Sequence, residues 1–322
     1  SQRGYKPILF KDLKKIDEVV KLNKKNNIYF PLKNEIHIEE NTYIPKNMSI
    51  TFSEKKIVYF HNNAILFSEG NINFKGTKKD PVTIMGYKKP NGSLIQLGGN
   101  FKSNNLIIKN LLFPSLPQYI LYSGVNLINS KNIIQNTLIS NSFSEDAINI
   151  INSKTYIDKL SIKNSLSDGL DVDGGDLTFS QIDCENITND CLDISGNEIR
   201  GEKLTAKGIG DKGLSVGENS FGTIQIVKIS DAEIGLAVKD SSKIKLKQLN
   251  LERVKLDIAV FNKKLEFGPS KLKIEQSTNF YNYLVGEGNE LEISGNQITN
   301  KLKNSAVIKK LYGNEYGAKT IR

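Results

Sequence analysis

The chain has few of the residues that build metal centres, disulfide scaffolds and membrane spans. It includes two cysteines and two histidines, and no apolar run approaches the roughly 18 residues that cross a bilayer. Cys184 and Cys191 lie seven apart without C-x-x-C spacing, so the sequence indicates neither a zinc site nor a disulfide scaffold. His37 and His61 stand singly among apolar neighbours, which favours a structural role for both.

The charge is basic but dispersed. The formal net charge is +9, and nearly all of the excess is lysine spread along the whole sequence. Scattered lysines are typical of solvated faces, and we find neither a nucleic-acid-binding motif nor a basic stripe interleaved with aromatic residues. The sequence therefore predicts a globular protein without a nucleic-acid partner and without a membrane span.

A six-residue pattern recurs at a constant spacing of 22 through the middle of the chain. Its copies are Asp146–Ile151, Asp168–Asp173, Asp190–Ser195, Lys212–Gly217, Ile234–Lys239 and Leu256–Phe261. The third and fifth positions are aliphatic in every copy, and Val125–Ser130 matches the pattern at a spacing of 23. Apolar alternation indicates strands, and strands that recur without intervening helices predict an all-β, right-handed parallel β-helix, a solenoid of about 22 residues per coil.

Other features favour the same fold. No proline occurs between Gln118 and Gly268, as uninterrupted strand ladders require. Asn164 and Asn186 are separated by the same spacing as the repeat and predict a stacked asparagine ladder at a turn. Cys184 belongs to an otherwise apolar column with this spacing, so we expect its side chain to be buried.

The ends of the chain predict caps. Residues 9–25 carry apolar residues at helical spacing and predict an amphipathic helix that covers the N-terminal end of the solenoid. The apolar residues of this segment are Leu9, Leu13, Ile16, Val19 and Val20. We therefore divide the chain into an N-terminal cap (1–27), a parallel β-helix (28–300) and a C-terminal tail with a short helix (301–322). Residues 111–123 contain two prolines and predict a loop over one face.

One face of the solenoid is predicted to carry charge. With positions three and five inward, positions one, four and six are available to solvent. Acids at these positions are Asp146, Asp168, Asp171, Asp173, Asp190 and Asp193, and the following copies carry Lys212 and Lys239. Neighbouring coils lie about 4.8 Å apart, so Asp171 and Asp193 are expected at the separation of a retaining glycosidase. Diagonal pairs reach the separation of an inverting one, so the spacing leaves both outcomes open.

These positions define a candidate site. The candidate catalytic residues are Asp168, Asp190, Asp193 and Lys212. The candidate substrate-binding residues are Asp146, Asp171, Asp173, Asp211 and Lys239. Both lysines are expected to bind an anionic group. In a lyase variant, a lysine with a lowered pKa is the base, and carboxylate-bound calcium neutralises a uronate.

Two other interpretations stay open. Asp171 and Asp173 offer oxygen ligands for Ca²⁺, although the segment does not fit the EF-hand pattern. Aspartates are also common in turns, where they bond to backbone groups, so the same residues fit a purely structural role.

The motif order resembles a known family. The pattern is similar to the right-handed parallel β-helix of the pectin-lyase-like superfamily, and within it to the polygalacturonases. "SDG" places Asp168 at the acid of the family's first motif, "NDC" places Asp190 at the second acid of its Asp-Asp pair, and "GLAVK" places Lys239 at the lysine of its last motif. The resemblance covers less than a quarter of the chain and implies hydrolysis of a polysaccharide.

The chain also departs from that family. Asn189 stands where its general acid is expected, and an amide is a poor proton donor. "DKGLSVG" places Lys212 where the family has histidine, and Ala237 replaces a substrate-binding arginine. Standard polygalacturonase chemistry therefore does not carry over.

A second resemblance spans residues 28–318. "SEDAINIINS", "NDCLDISGN", "DKGLSVGE" and "LYGNEYG" resemble bacterial β-helix proteins associated with CotH-kinase-like surface proteins, which implies an extracytoplasmic location. The sequence thus favours a β-helix that acts on or binds a polysaccharide, with acidic polymers among the candidates. The alternative is a non-catalytic surface, adhesion or structural module that binds calcium or only solvates its turns.

Overall fold

A computed structural model describes residues 13–114, 121–278, 282–313 and 315–316. Strands account for 67% of the chain, and parallel pairing between successive coils gives about 11 turns of β-solenoid, which confirms the predicted fold class. The chain divides into two compact units, unit 1 (Ser1–Ser153) and unit 2 (Lys154–Arg322). None of the helices in the described part of the chain is long and apolar enough to cross a membrane.

Unit 1 consists mainly of short strands. Strands β1 to β14 are Lys14–Lys15, Leu22–Lys25, Ile28–Pro31, Glu35–Ile38, Thr42–Ile44, Ser49–Ser53, Ile57–Phe60, Ile65–Ser68, Asn71–Lys75, Val82–Gly86, Ser93–Leu97, Asn100–Lys109, Ser123–Ile128 and Lys131–Ser142. Their pairings between coils are parallel, and the predicted step from Val125 to the next copy is confirmed, because Val125 pairs with Ile148. Stacked buried rings fill the interior, with the ring centroids of Phe52 and Phe74 5.0 Å apart.

The predicted N-terminal helix is wrong over the residues that the structure describes. Between residues 13 and 25 there is one helical turn, α1 (Ile16–Val19), flanked by β1 and β2. β2 pairs antiparallel with β3, so Leu22 to Lys25 belong to a hairpin. Ile16 is fully buried, which explains the apolar pattern without a long helix. Leu9 lies outside the described residues.

Unit 2 contains the long strands. The division between the units falls within β15 (Asp146–Ser165). Strands β16 to β23 are Asp168–Ile187, Leu192–Gly217, Phe221–Lys239, Lys243–Phe261, Lys271–Thr278, Tyr283–Val285, Glu290–Ile293 and Asn296–Gln297. A second helix, α2 (Asn304–Leu311), lies in the predicted C-terminal tail.

In unit 2, repeat residues that are 22 apart in the sequence pair with each other on neighbouring strands. Leu170 pairs with Leu192, and Leu214 pairs with Leu236, which pairs with Ile258. All five side chains are fully buried. The third position of the repeat therefore forms an apolar column in the interior.

The predicted asparagine ladder is confirmed. Asn186 Nδ2 donates to Asn164 Oδ1 at 3.2 Å, and Asn164 and Asn186 have positive φ angles of 56° and 57°. Asparagine tolerates this left-handed conformation, and so does glycine, which takes the same place one coil later at Gly208 (φ 68°). The ladder thus marks a sharp corner of each coil.

The interpretation of the cysteines as unlinked is wrong. Cys184 and Cys191 form a disulfide, with Cα atoms 5.8 Å apart. The chain turns a corner between them, so two residues that are seven apart in sequence meet inside the coil. The predicted column is nevertheless present, because Cys184 pairs with Ala206 and both cysteines are buried.

The interior column predicts an unequal response to two leucine substitutions. Leu214→Ala leaves a cavity in the buried column and should cost about 2–5 kcal/mol of unfolding free energy. Leu265→Ala, at a fully exposed leucine of the same unit, should change it by less than about 0.5 kcal/mol. Urea unfolding of the full chain measures both, and equal losses would contradict the observed register.

Candidate functional site

Two aspartates at position one of the repeat, Asp168 and Asp190, accept hydrogen bonds from the next coil of unit 2. Asp168 Oδ1 accepts hydrogen bonds from the backbone N–H of Asp190 at 2.8 Å and from Asn189 Nδ2 at 2.6 Å. One coil later, Asp190 Oδ1 accepts from the backbone N–H of Lys212 at 2.9 Å. Both carboxylates therefore join consecutive coils at the corner that precedes each strand.

The ammonium of Lys212 is enclosed by carboxylates. Its Nζ lies 3.3 Å and 3.4 Å from the two carboxylate oxygens of Asp190 and donates to Asp211 Oδ2. The three side chains are almost completely buried. A buried charge requires such pairing, because desolvation without it costs several kcal/mol.

A second ammonium lies beside the first. Lys239 Nζ donates to Ser215 Oγ at 2.8 Å and lies 3.9 Å from Asp193 Oδ1. The stem of Lys239 passes over Gly217, where a Cβ would come within 2.8 Å of Lys239 Cε. Glycine at this position thus provides the space for the buried lysine.

We call these five residues, Asp190, Asp193, Asp211, Lys212 and Lys239, the ion cluster. It contains three carboxylates and two ammonium groups, so it has an excess of negative charge when all are ionised. Burial raises the pKa of Asp190 to about 6, with Asp211 and Asp193 adding to the rise and Lys212 opposing it. Burial therefore favours the protonated form of Asp190.

Both lysines keep their protons at neutral pH. Burial on its own lowers the pKa of Lys212, but Asp190 and Asp211 outweigh it and raise that pKa above its usual value. Burial likewise acts against Lys239, and Asp193 raises its pKa overall. Neither Lys212 nor Lys239 therefore has the lowered pKa that the lyase variant expects of its base.

Tyr312 contacts this region and was missed by sequence reasoning. Its ring lies 5.9 Å from Lys212 Nζ, 4.6 Å from Lys263 Nζ and 6.3 Å from the ring of Phe261. Tyr312 directly follows α2. The end of the C-terminal helix therefore lies over the lysine side of the ion cluster.

Helix α2 also corrects the expected exposure of the later coils. The sequence predicts that positions one, four and six face solvent, but in the last two copies five of these six positions pack in an apolar cluster with Val307 and Leu311 of α2, and the sixth, Lys239, is buried in the ion cluster. The covered residues of the repeat are Ile234, Ala237, Leu256, Ala259 and Phe261. Their apolar character was the available signal, because solvent-facing positions of a charged face would not all be aliphatic or aromatic.

The open part of the face is acidic. Asp171 pairs in register with Asp193 on the next coil, and Asp173 pairs with Ser195. Asp171 is partly exposed, Asp173 is exposed, and the side chain of Asp193 is 27% exposed. We call Asp171, Asp173 and Asp193 the open acidic face, since they lie on two paired strands and each keeps some exposure.

Two carboxylate oxygens of the ion cluster have no hydrogen-bond donor among the described residues. Oδ1 of Asp193 and Oδ1 of Asp211 are buried and accept no hydrogen bond from the residues that the structure describes. Buried acceptors are normally satisfied, so a water molecule or a ligand hydroxyl is the expected donor. Asp193 combines this unmet acceptor with partial exposure.

The remaining candidate acid, Asp146, is bonded within unit 1. Its Oδ2 accepts from Ser123 Oγ at 2.5 Å and from Asn149 Nδ2 at 3.3 Å. No group of three or more His, Cys, Asp or Glu side chains within the described ranges is arranged to hold a metal ion. Calcium binding by Asp171 and Asp173 stays a prediction.

Comparisons with protein-family models, with curated proteins and with solved structures found no match to this chain. What defines the protein is therefore its class, a parallel β-solenoid with a buried ion cluster next to an open acidic face.

The ion cluster predicts that Lys212 is needed for stability. Lys212→Met removes one of two buried cations and leaves three carboxylates, so it should cost about 3–5 kcal/mol at pH 7. Lys163→Met is the matched control, because Lys163 pairs with Glu185 at 2.7 Å on the solvated surface of the same unit and should matter by less than about 1 kcal/mol. Guanidinium unfolding measures the loss of unfolding free energy in both variants. An unchanged stability in Lys212→Met would mean that the ion cluster is not buried as described.

The raised pKa of Asp190 predicts a pH-dependent stability term. The folded protein holds this proton up to about pH 6, whereas the unfolded chain releases it near pH 4. The contribution of Asp190 to stability is therefore greatest below pH 4, declines between pH 4 and 6, and is constant above. In urea unfolding at pH 4, 5, 6 and 7, Asp190→Asn should lack this decline, and identical pH profiles for variant and wild type would refute the assignment.

Proposed function

We propose that this protein is an extracytoplasmic, carbohydrate-active β-helix of the pectin-lyase-like kind, which engages a polysaccharide along the open acidic face. The observation that carries the proposal is the environment of Asp193. Asp193 is partly exposed, pairs in register with Asp171, lies 3.9 Å from a buried ammonium and has an oxygen without a donor. Its Oδ1 is buried beside this ammonium, and the exposed part of the side chain is open to a sugar hydroxyl.

The register supports a hydrolytic reaction. Neighbouring strands place Asp171 and Asp193 about 4.8 Å apart in the direction in which the coils stack, close to the about 5–5.5 Å of retaining glycosidases. In the proposed reaction, one carboxyl protonates the glycosidic oxygen and the other attacks the anomeric carbon. Water then releases the sugar and restores the acid.

The other sequence candidates take supporting roles in this proposal. Asp168 and Asp190 bond to backbone N–H groups of the next coil, and the side chain of Asp190 is only 5% exposed. Lys212 and Asp211 complete the ion cluster behind Asp193. Lys239 positions the carboxylate of Asp193. Elimination is disfavoured, because neither buried lysine is a base at neutral pH.

The charges favour a neutral polymer. The sequence predicts that Lys212 and Lys239 bind an anionic group, but their ammonium groups are already paired with carboxylates. A polyuronate would meet three aspartates on the open acidic face and would need a cation such as Ca²⁺ between them. Asp171 and Asp173 would be the protein's ligands to this Ca²⁺ ion.

The disulfide supports an extracytoplasmic location. Disulfides persist in oxidising compartments and are rare in the cytosol, and the Cys184–Cys191 bond is of this kind. This agrees with an extracytoplasmic protein.

A non-catalytic surface module is the second candidate function. The observation that favours it is the use of Asp168 and Asp190 as backbone acceptors, which accounts for two of the acids without any ligand. In this case the protein would bind a polysaccharide and not cleave it.

A matched pair of variants tests the proposal. The full chain is incubated with neutral and uronate-containing polysaccharides, with and without Ca²⁺, while new reducing ends and the absorbance of unsaturated products are followed. Asp193→Asn should lower hydrolysis of a neutral polymer by at least about 100-fold, because the amide can neither attack nor transfer a proton.

Asp176→Asn is the control, since Asp176 is an exposed aspartate on another part of β16 and should keep full activity. Binding without turnover by the wild type would favour the non-catalytic module. Unsaturated products would overturn the hydrolytic mechanism, and neither binding nor turnover on any polymer would overturn both candidates.

A further inference from the structure

The only two histidines of the chain lie side by side in unit 1. His37 is in β4 and His61 directly follows β7. These strands pair in parallel with His37 opposite Tyr59, which places His61 two positions further along. His37 Nδ1 and His61 Nε2 are 2.8 Å apart. The interpretation of the two as isolated structural residues therefore misses their pairing.

Aromatic neighbours hold both rings. Tyr59 stacks on His37 with ring centroids 5.1 Å apart, and the ring of Tyr87 lies 4.3 Å from that of His61. Tyr59 and Tyr87 also contact each other edge to face at 5.5 Å. The imidazoles are thus positioned by packing although the side chain of His37 is 40% exposed, and such positioning lowers the entropic cost of binding a ligand.

The two facing nitrogens are at hydrogen-bonding distance. A hydrogen bond between neutral imidazoles needs one N–H and one lone pair, and a metal ion binds in place of that proton. Metal–nitrogen bonds of about 2.0–2.1 Å separate two ligating nitrogens by about 2.9 Å at a right angle and about 3.4 Å in a tetrahedron. The observed 2.8 Å requires only a small turn of two partly exposed rings.

The surroundings suit such an ion. Glu35 Oε2 lies 4.0 Å from His37 Nε2, on the side of the ring away from His61. A carboxylate in this place favours the tautomer in which Nδ1 carries the lone pair, as carboxylates behind metal-bound histidines do. The side chain of His37 is 40% exposed, so water can reach an ion bound to it.

We propose that His37 Nδ1 and His61 Nε2 form a binding site for one divalent transition-metal ion of the Zn²⁺, Ni²⁺ and Cu²⁺ group. Imidazole suits these ions, whereas Ca²⁺ and Mg²⁺ take oxygen ligands. The protein supplies two ligands and water the others, since the described residues contain no group of three His, Cys, Asp or Glu side chains arranged around a metal. The site is therefore an exchangeable surface site, separate from the polysaccharide proposal.

Zinc titration tests the proposal directly. With only two histidines, the ¹³C-labelled imidazole signals of the untagged full chain report this site and no other. Addition of Zn²⁺ should shift both signals together and saturate at one ion per chain, while Ca²⁺ should leave them unchanged. Calorimetric titration with Zn²⁺ and Ni²⁺ gives the affinities.

The variants separate a metal site from an aromatic stack. His37→Ala and His61→Ala should each weaken Zn²⁺ binding at least tenfold, and the double variant should abolish it. Lys88→Ala is the control, because Lys88 contacts the ring of Tyr87 without a ligating nitrogen at the site, and it should bind as the wild type does. Unshifted imidazole signals, a shift of one signal alone, or undiminished binding by the double variant would overturn the proposal, with circular dichroism confirming that each variant is folded.

Discussion

The constraint on which the structure depends is the pairing register between coils. Strands one coil apart pair in parallel and place each side chain on its counterpart in the neighbouring coil, so slippage by a single position would turn the interior outward. Every local environment is therefore decided jointly by consecutive coils. The leucine column, the asparagine ladder and the bonds from Asp168 and Asp190 to the following coil all follow from this one arrangement.

The same register explains why opposite charges are buried together. Position one of successive copies changes from aspartate to lysine, and stacking brings Asp190 next to Lys212. Each buried charge acquires a partner that a single strand does not provide. The ion cluster thus uses the solenoid to balance charges, which is why the candidate lysines serve the protein's own carboxylates and leave only part of the acidic face for a ligand.

The periodic features could be predicted from the sequence because they repeat. The spacing of Leu170, Leu192 and Leu214 predicts their column, and Asn164 with Asn186 predicts a corner. Features that occur once were missed. Tyr312 reaches the ion cluster from about 100 positions along the chain, and no spacing rule connects it to Lys212. The disulfide was missed because a corner, not a strand, separates the two cysteines. The N-terminal apolar pattern fitted a helix, although only one helical turn forms, at the buried Ile16, and residues 22–25 form a hairpin strand.

The passage of Lys239 over Gly217 has a consequence for how this protein can change. A side chain at position 217 would occupy the space of the lysine stem, and a shorter residue at 239 would leave a void above the glycine and an unpaired Asp193. Neither position is therefore free to vary alone, and viable descendants are expected to alter the two together. Related chains that keep the buried lysine would then be expected to keep the glycine on the preceding coil as well.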